Sequence, residues 1–257
     1  MILALDVGNT TIVIGCIDRD NVYFVGRLNT DLDKTEDEYA ISFQYILELY
    51  GINKDKIDGG IISSVVPPLI QIHRRAVAKV IGKKPLVVGP DIKTGLHIDI
   101  DQPRQLGSDL IVDAVAALDQ YEAPLIIFDL GTATTVSVID QNKTYIGGLI
   151  YPGLQISVEA LSNRTSQLPH ISLESSEKVI GRNTIDSMKS GLINGSAAMI
   201  DGLIDRIEEE LGISATVLAT GGLSSFIVPY CKKNIICDNN LLLKGLFFLY
   251  EKNKEFL

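Results

Sequence analysis

The chain has 257 residues, of which 46% are hydrophobic, and a formal net charge of −9. This length suits one large domain or two smaller ones with separate cores, and the acidic balance argues against a nucleic-acid partner, because contacts to phosphates need clustered lysine and arginine. Met1 leads directly into an apolar run that ends at Asp6. That run is too short for a signal peptide or a membrane span, so we expect a cytoplasmic protein that does not associate with membranes.

The first half of the chain alternates strands and helices. Strand signals, which are apolar runs bounded by polar turns, lie at residues 2–5, 12–17, 22–28, 60–66 and 85–88. Helical spacing of apolar residues lies at residues 35–50, 69–81 and 109–118. The polar stretch 89–108 is predicted to be irregular. This order predicts a mixed sheet flanked by helices.

The second half returns to strands. They are predicted at residues 125–128, 136–139, 144–149 and 216–219, and helices at 184–190, 194–211 and 240–252. One helix carries an apolar stripe formed by Ala198, Ile200, Leu203, Ile204 and Ile207. The stripe has two interpretations, packing within its own domain or a subunit interface, and the sequence leaves both open.

A strand-turn-strand unit occurs twice. Residues 3–18 read LALDVGNTTIVIGCID and residues 126–140 read IIFDLGTATTVSVID. Both give an apolar strand, Asp, one apolar residue, Gly, small polar residues, a second apolar strand and an Ile-Asp turn. Repetition of a whole folding unit indicates internal duplication. We therefore expect one domain at residues 1–117 and a second at residues 118–257.

The repeated Asp-x-Gly turn suits phosphate chemistry. The carboxylate at the strand end can bind Mg²⁺ directly or through water. The glycine allows a sharp turn and close approach of phosphate to the backbone. A single turn of this kind is also compatible with an ordinary β-turn that binds nothing. Two matched turns favour a nucleotide site, and the Gly221-Gly222 turn after a predicted strand suits the approach of an adenosine group.

The whole chain resembles the superfamily of actin, sugar kinases and heat-shock chaperone ATPases, and within it type III pantothenate kinase. The resemblance rests on eight segments in chain order: DVGNTT at 6–11, SSVVP at 63–67, PRQLGSD at 103–109, FDLGTATT at 128–135, GGLIYPG at 147–153, ALSNRTSQLP at 160–169, IGRNTIDSMKSG at 180–191 and ATGGL at 219–223. It implies an α/β fold of two ribonuclease-H-like domains, each a mixed β-sheet with flanking helices, with ATP in the cleft between them.

The resemblance also implies an activity, the ATP-dependent phosphorylation of the primary hydroxyl of pantothenate as the first step towards coenzyme A. Thr132 would contact phosphate from the second turn. Asp6 would hold Mg²⁺, directly or through water, and Asp129 would hold a monovalent cation, K⁺ or NH₄⁺. The first ATP loop would consist of Asp6, Val7, Gly8, Asn9, Thr10, Thr11, Ile12 and Val13.

By the same resemblance, Asp109 corresponds to the catalytic base. The pantothenate pocket would be lined by Gly107, Ser108, Asp109 and Leu110. Thr184 would reach the pocket from the neighbouring subunit, because the family is homodimeric. From position alone, Asp109 also fits an ordinary carboxylate at a helix N-terminus, stabilised by the helix dipole.

Two positions depart from the family pattern. Leu110 stands where the family commonly has Arg, and Ile100 stands where it often has Tyr. Both family residues help to hold pantothenate, the Arg through its carboxylate. Two alternatives therefore stay open, a related kinase with another small substrate and a non-catalytic nucleotide-binding regulator.

Overall fold

The computed structural model describes residues 1–173 and 178–256, and its contacts divide the chain into two compact units. Unit 1 comprises Met1–Leu96, Asp101–Gln120 and the residues from Asn240 onward. Unit 2 comprises His97–Ile100 and Tyr121–Asn239. Each unit is built on one β-sheet.

Unit 1 is built on the predicted meander. Its strands are β1 (Ile2–Val7), β2 (Thr11–Ile17), β3 (Val22–Asn29), β4 (Gly59–Ser64) and β5 (Leu86–Val87). Their order in the sheet is β3-β2-β1-β4-β5. The pairs β1–β2 and β2–β3 are antiparallel, and the pairs β1–β4 and β4–β5 are parallel. Since β1 is central and apolar on both faces, it is buried almost throughout, as expected for a strand covered on both sides.

Three helices of unit 1 follow the predicted spacing, α1 (Glu36–Leu49), α2 (Ile70–Ile81) and α3 (Ser108–Gln120). Thr35 and Glu38 form a reciprocal capping box that starts α1. Gly82 ends α2 in the left-handed conformation at φ +70°, which glycine adopts without strain. The apolar faces of α1 and α2 share one core with β1 and β2.

Unit 2 repeats the strand order of unit 1. Its strands are β6 (His97–Ile98), β7 (Leu125–Leu130), β8 (Ala133–Ile139), β9 (Thr144–Pro152), β10 (Thr216–Thr220) and β11 (Ile236–Cys237). The order is β11-β10-β7-β8-β9-β6, and β7, β8, β9, β10 and β11 pair with the same directions as β1 to β5. The duplication predicted from the sequence is thereby confirmed, with β6 as an addition at the edge.

The helices of unit 2 are α4 (Leu154–Arg164), α5 (Thr184–Leu211) and the single turn α6 (Ser224–Ile227). Helix α5 is continuous, where the sequence predicted separate stretches at 184–190 and 194–211. The intervening Gly191 has open space around it, so nothing displaces the helix there. Ile200, Ile204 and Ile207 are buried in the core of unit 2, which confirms the core interpretation for them. Ala198 is exposed instead, and its neighbour Ala197 is buried.

The C-terminal helix α7 (Leu241–Asn253) belongs to unit 1. The sequence division assigned it to the second domain. Its buried Leu243 and Leu246 share a core with Ile2 and Ala4 of β1, and Gly245 lies against the backbone of α3, where a Cβ atom would overlap the carbonyl of Val112. The apolar surface of α7 is therefore buried against the sheet and helix α3 of unit 1. Among the described residues, no helix has the length and hydropathy that crossing a bilayer requires.

A buried histidine of α2 packs against α1. His73 is fully buried, and its ring centroid lies 4.4 Å from that of Tyr39 and 6.0 Å from that of Phe43. Nδ1 lies 2.9 Å from the carbonyl oxygen of Leu69, so the neutral ring carries its proton on Nδ1. Nε2 has no hydrogen-bond partner among the described residues. Burial lowers the pKa of His73 from its ordinary value to about 4.

This pKa predicts an acid-sensitive fold. The unfolded state takes up the His73 proton near pH 6.5 and the folded state only near pH 4, so stability falls as pH drops through this window. The expected contribution to the free energy of unfolding is about 3 kcal/mol. His73→Phe should flatten the dependence between pH 7 and pH 4, measured by urea titration with circular dichroism. The exposed His170 is the control, and a His73→Phe curve parallel to that of His170→Gln would contradict the prediction.

Candidate functional site

The first acidic turn lies at the end of β1. Gly8 donates its N–H to the carbonyl oxygen of Thr11 at 3.0 Å and closes the turn. Thr30, at the end of β3, holds the turn from the side, since its hydroxyl donates to the carbonyl oxygen of Gly8 at 2.7 Å and its N–H donates to that of Thr10 at 2.9 Å. The backbone of the turn is therefore fixed by Thr30, and the side chains of Asn9 and Thr10 are exposed.

Not every residue of the predicted ATP loop can offer its side chain. Val7 and Ile12 are fully buried in the core of unit 1. Asp6 and Thr11 are half-buried, at the rim of the sheet. Val7 and Ile12 can contribute only their backbone groups to a ligand.

The start of α3 is tied to the end of β4. The hydroxyl of Ser108 donates to the carbonyl oxygen of Ser64 at 3.1 Å and lies 3.0 Å from the hydroxyl of Ser63. Because the single proton of Ser108 is used on Ser64, Ser63 donates to Ser108. In the sheet, Ser63 lies directly beside Asp6. The start of α3, with Asp109, is thus held at the carboxyl ends of β1 and β4, where the first acidic turn begins.

Asp109 is held in a fixed orientation. Its Oδ1 accepts a hydrogen bond from the N–H of Leu110 at 2.9 Å. The same oxygen lies over Gly107, where a Cβ atom would overlap it. Burial raises the pKa of Asp109 above its ordinary value, and the hydrogen bond from Leu110 opposes that rise. The result is a partly desolvated carboxylate that backbone N–H groups hold in place.

The second acidic turn lies at the end of β7 and is in contact with the Gly221-Gly222 turn. Asp129 pairs in register with Thr220 of β10. Gly221 has φ +87°, and a Cβ atom there would overlap Asp129 Oδ1 and the backbone of Leu130. The N–H of Leu223 donates to the carbonyl oxygen of Leu130 at 3.2 Å. The two turns predicted to contact ATP in the second half thus form one structure.

Gly153 closes the segment GGLIYPG at 147–153, but the sequence analysis did not place it at the second acidic turn. A Cβ atom on Gly153 would overlap the carbonyl oxygens of Gly131 and Thr132. Gly153 therefore lets the chain pass directly against the second acidic turn, where Thr132 is exposed. The sequence signal was the Pro-Gly pair at the end of β9, immediately before α4.

The other predicted substrate residues lie in unit 2. Thr184 is the first residue of α5 and is exposed, next to the N-cap Asn183, whose side chain accepts from the N–H of Asp186. Ile100 is half-buried and follows β6. The pocket segment 107–110 lies in unit 1, so the grouping of these residues around one substrate stays a prediction.

The acidic turns fit cations that share their ligands with phosphate. Among the described residues, no three or more His, Cys, Asp or Glu side chains are grouped as for a metal site. Asp6 and Asp129 each supply one carboxylate next to a tight glycine turn. Mg²⁺ bound to a nucleotide characteristically takes one or two carboxylates and completes its shell with phosphate oxygens and water. Such a cation suits this donor set.

The fold has counterparts among solved structures. A solved structure from Campylobacter jejuni, assigned to the Baf family of transcriptional activators, is 21% identical and aligns with a TM-score of 0.61 over 99% of this chain and 100% of that one. The ROK family glucokinase of Streptomyces griseus is 12% identical and aligns with a TM-score of 0.51 over 97% of this chain and 98% of that one. These similarities show the fold alone, which this chain shares with both structures.

The sequence defines the family. The profile of type III pantothenate kinase matches residues 2–206. A type III pantothenate kinase of Exiguobacterium sp. (strain ATCC BAA-1283 / AT1b) is 44% identical over 255 residues, which cover 99% of this chain and 100% of that protein. The chain belongs to the type III pantothenate kinase family.

Proposed function

We propose that this protein transfers the γ-phosphoryl group of ATP to the primary hydroxyl of pantothenate, giving 4'-phosphopantothenate for coenzyme A synthesis. The single observation that carries the proposal is that Asp109 and Asp6 are held at the same end of the first sheet. Ser108, which precedes Asp109, is hydrogen-bonded to Ser63, and Ser63 lies beside Asp6 in the pairing of β1 with β4. A general base and a phosphate-binding turn are needed side by side for phosphoryl transfer. Membership of the type III pantothenate kinase family supports the choice of substrate.

Asp109 acts as the general base. Its carboxylate accepts the proton of the pantothenate hydroxyl as the new P–O bond forms and ADP leaves. Burial raises the pKa of Asp109, which makes it a better proton acceptor than an exposed aspartate. Positioning and charge neutralisation supply most of the remaining catalysis.

Both acidic turns bind ATP. In the first, Asn9 and Thr10 present exposed side chains and the backbone supplies N–H donors. In the second, Thr132 contacts phosphate, and Asp129 holds the monovalent cation, K⁺ or NH₄⁺. Asp6 holds Mg²⁺, directly or through water. When bound, these cations neutralise charge on the phosphates.

The substrate side of the proposal involves a second subunit. Residues 107–110 and Ile100 line the pantothenate pocket, and Thr184 reaches it from the partner of a homodimer. The exposed position of Thr184 at the start of α5 leaves it accessible for such a contact. A cytoplasmic location also belongs to the proposal, and it agrees with three cysteines, Cys16, Cys231 and Cys237, that are all free thiols.

An ATP-consumption assay in potassium buffer tests this function. We expect ADP release that depends on added pantothenate and falls when potassium is replaced by sodium. ATP use with another small hydroxyl compound, but not with pantothenate, would show a different substrate. Tight nucleotide binding without turnover on any acceptor would show a regulator instead of an enzyme.

A further inference from the structure

Thr30 holds two carbonyl groups of the first acidic turn. Its hydroxyl donates to the carbonyl oxygen of Gly8 at 2.7 Å, and its N–H donates to that of Thr10 at 2.9 Å. The peptide bonds that follow Gly8 and Thr10 are trans, so in each of them the N–H points opposite to the carbonyl. The N–H groups of Asn9 and Thr11 therefore point away from Thr30. Backbone N–H groups that a turn presents in this way suit phosphate oxygens.

The chain at Thr30 is anchored by helix α1. Tyr39 is fully buried, and its hydroxyl donates to the carbonyl oxygen of Asp31 at 2.8 Å and accepts the N–H of Asp31 at 2.9 Å. One side chain thus fixes both backbone groups of the residue after Thr30. Tyr39 also packs against Phe43 in the core, with 5.8 Å between the ring centroids. The position of Thr30 is therefore set by the core of unit 1.

The second acidic turn is held by different means. Gly153 occupies the place in unit 2 that Thr30 occupies in unit 1, because each follows the residue that pairs with the first residue of β8 or β2. A Cβ atom on Gly153 would overlap the carbonyl oxygens of Gly131 and Thr132, so the backbone itself lies against that turn. Of the two turns, only the first depends on the hydroxyl of Thr30.

We propose that Thr30 is a positioning residue for the phosphates of ATP, which acts by turning the carbonyls of the first acidic turn away from them. This inference rests on the proposed ATP site at that turn. A carbonyl oxygen is the negative end of the peptide dipole and repels phosphate, so a turn whose peptide units can rotate binds the nucleotide less tightly. The single hydroxyl proton of Thr30 is used on Gly8, and Thr30 therefore acts through the turn.

The test compares Thr30→Val, Thr30→Ser and Tyr39→Phe with the control Thr216→Val. Valine keeps the shape and the N–H of threonine but loses the hydroxyl, whereas serine keeps the hydroxyl. Thr216 is half-buried like Thr30, and its hydroxyl also donates to a backbone carbonyl, that of Glu122 at 3.1 Å. It lies at the start of β10, the end of that strand away from the Gly221 turn.

The readouts are the Kd of the non-hydrolysable ATP analogue AMPPNP by titration calorimetry, the Kd of AMP, and the KM values of ATP and pantothenate. We expect the AMPPNP Kd and the ATP KM to rise about fivefold in Thr30→Val and about threefold in Tyr39→Phe, the size of one lost hydrogen bond. Both should stay within about twofold of the wild type in Thr30→Ser and Thr216→Val. AMP lacks the two terminal phosphates and should bind all variants alike, and the KM of pantothenate should not change.

Three results would overturn the inference. They are a normal AMPPNP Kd in Thr30→Val, a Thr30→Ser variant that binds as weakly as Thr30→Val, and an equal rise in the Kd of AMP, which would mean that the variant loosens unit 1 as a whole. Tyr39→Phe keeps the buried ring and loses only the anchor on Asp31, so it gives the same comparison if Thr30→Val fails to fold. A wild-type chain that does not bind AMPPNP would instead refute the proposed function itself.

Discussion

Asp109→Asn is expected to lower kcat by about 100-fold or more, with the Kd of ATP nearly unchanged. Asparagine has the same shape, and its Oδ1 can still accept the N–H of Leu110, which lies 2.9 Å away. What it loses is the ability to take up the hydroxyl proton. The measurements are steady-state kinetics with saturating pantothenate and a separate nucleotide titration.

Stability and pH give two checks on this prediction. Burial disfavours the charged form of Asp109, so the neutral asparagine should leave the fold at least as stable at pH 7. In the wild type, kcat/KM should fall as pH drops below the raised pKa of Asp109, at a higher pH than for an ordinary aspartate. Asp119→Asn, an exposed position on the same helix, is the matched control and should be neutral. A near-normal rate in Asp109→Asn would remove this residue from the role of base.

The duplicated fold was predictable because its signals are local. Residues 2–5 and 125–128 are apolar runs that must be central strands, and the Asp-x-Gly turn after each run is short enough to be read directly from the sequence. The structure places Asp6 and Asp129 at equivalent strand ends, in register with Val13 and Thr135 on the following strands. Periodicity and turn chemistry decide these features without distant contacts.

Other features depend on contacts between residues far apart in sequence. Helix α7 was predicted, but its apolar residues alone do not show which sheet they cover. The packing of Leu243 and Leu246 on β1 and of Gly245 on α3 assigns it to unit 1. Strands β6 and β11 have two residues each, too few for a period to be visible. The Ser108–Ser63 contact joins residues 45 positions apart, and no local pattern marks either serine as a partner of the other. Long-range contacts such as the one between Ser108 and Ser63 are therefore the part of the site that could not be predicted from the sequence.

A second large effect is expected at Gly221. Gly221→Ala should lower the free energy of unfolding by roughly 3 kcal/mol and weaken ATP binding at least tenfold. Two costs combine, since alanine is strained at φ +87° and its Cβ would overlap both Asp129 Oδ1 and the backbone of Leu130. The side chain of Asp129 could rotate away, but the backbone of Leu130 cannot, so the second acidic turn must move. The measurements are urea unfolding and titration with ADP.

Gly222 provides the matched control, because a Cβ atom there has open space. Gly222→Ala should leave the free energy of unfolding within about 0.5 kcal/mol of the wild type. If it weakens ADP binding at normal stability, the added methyl group lies in the path of the nucleotide, which would locate the adenosine group over this turn. If Gly221→Ala binds ADP as tightly as the wild type, the contact between the glycine turn and Asp129 has no part in nucleotide binding, and the ATP site must be built on the first acidic turn without it.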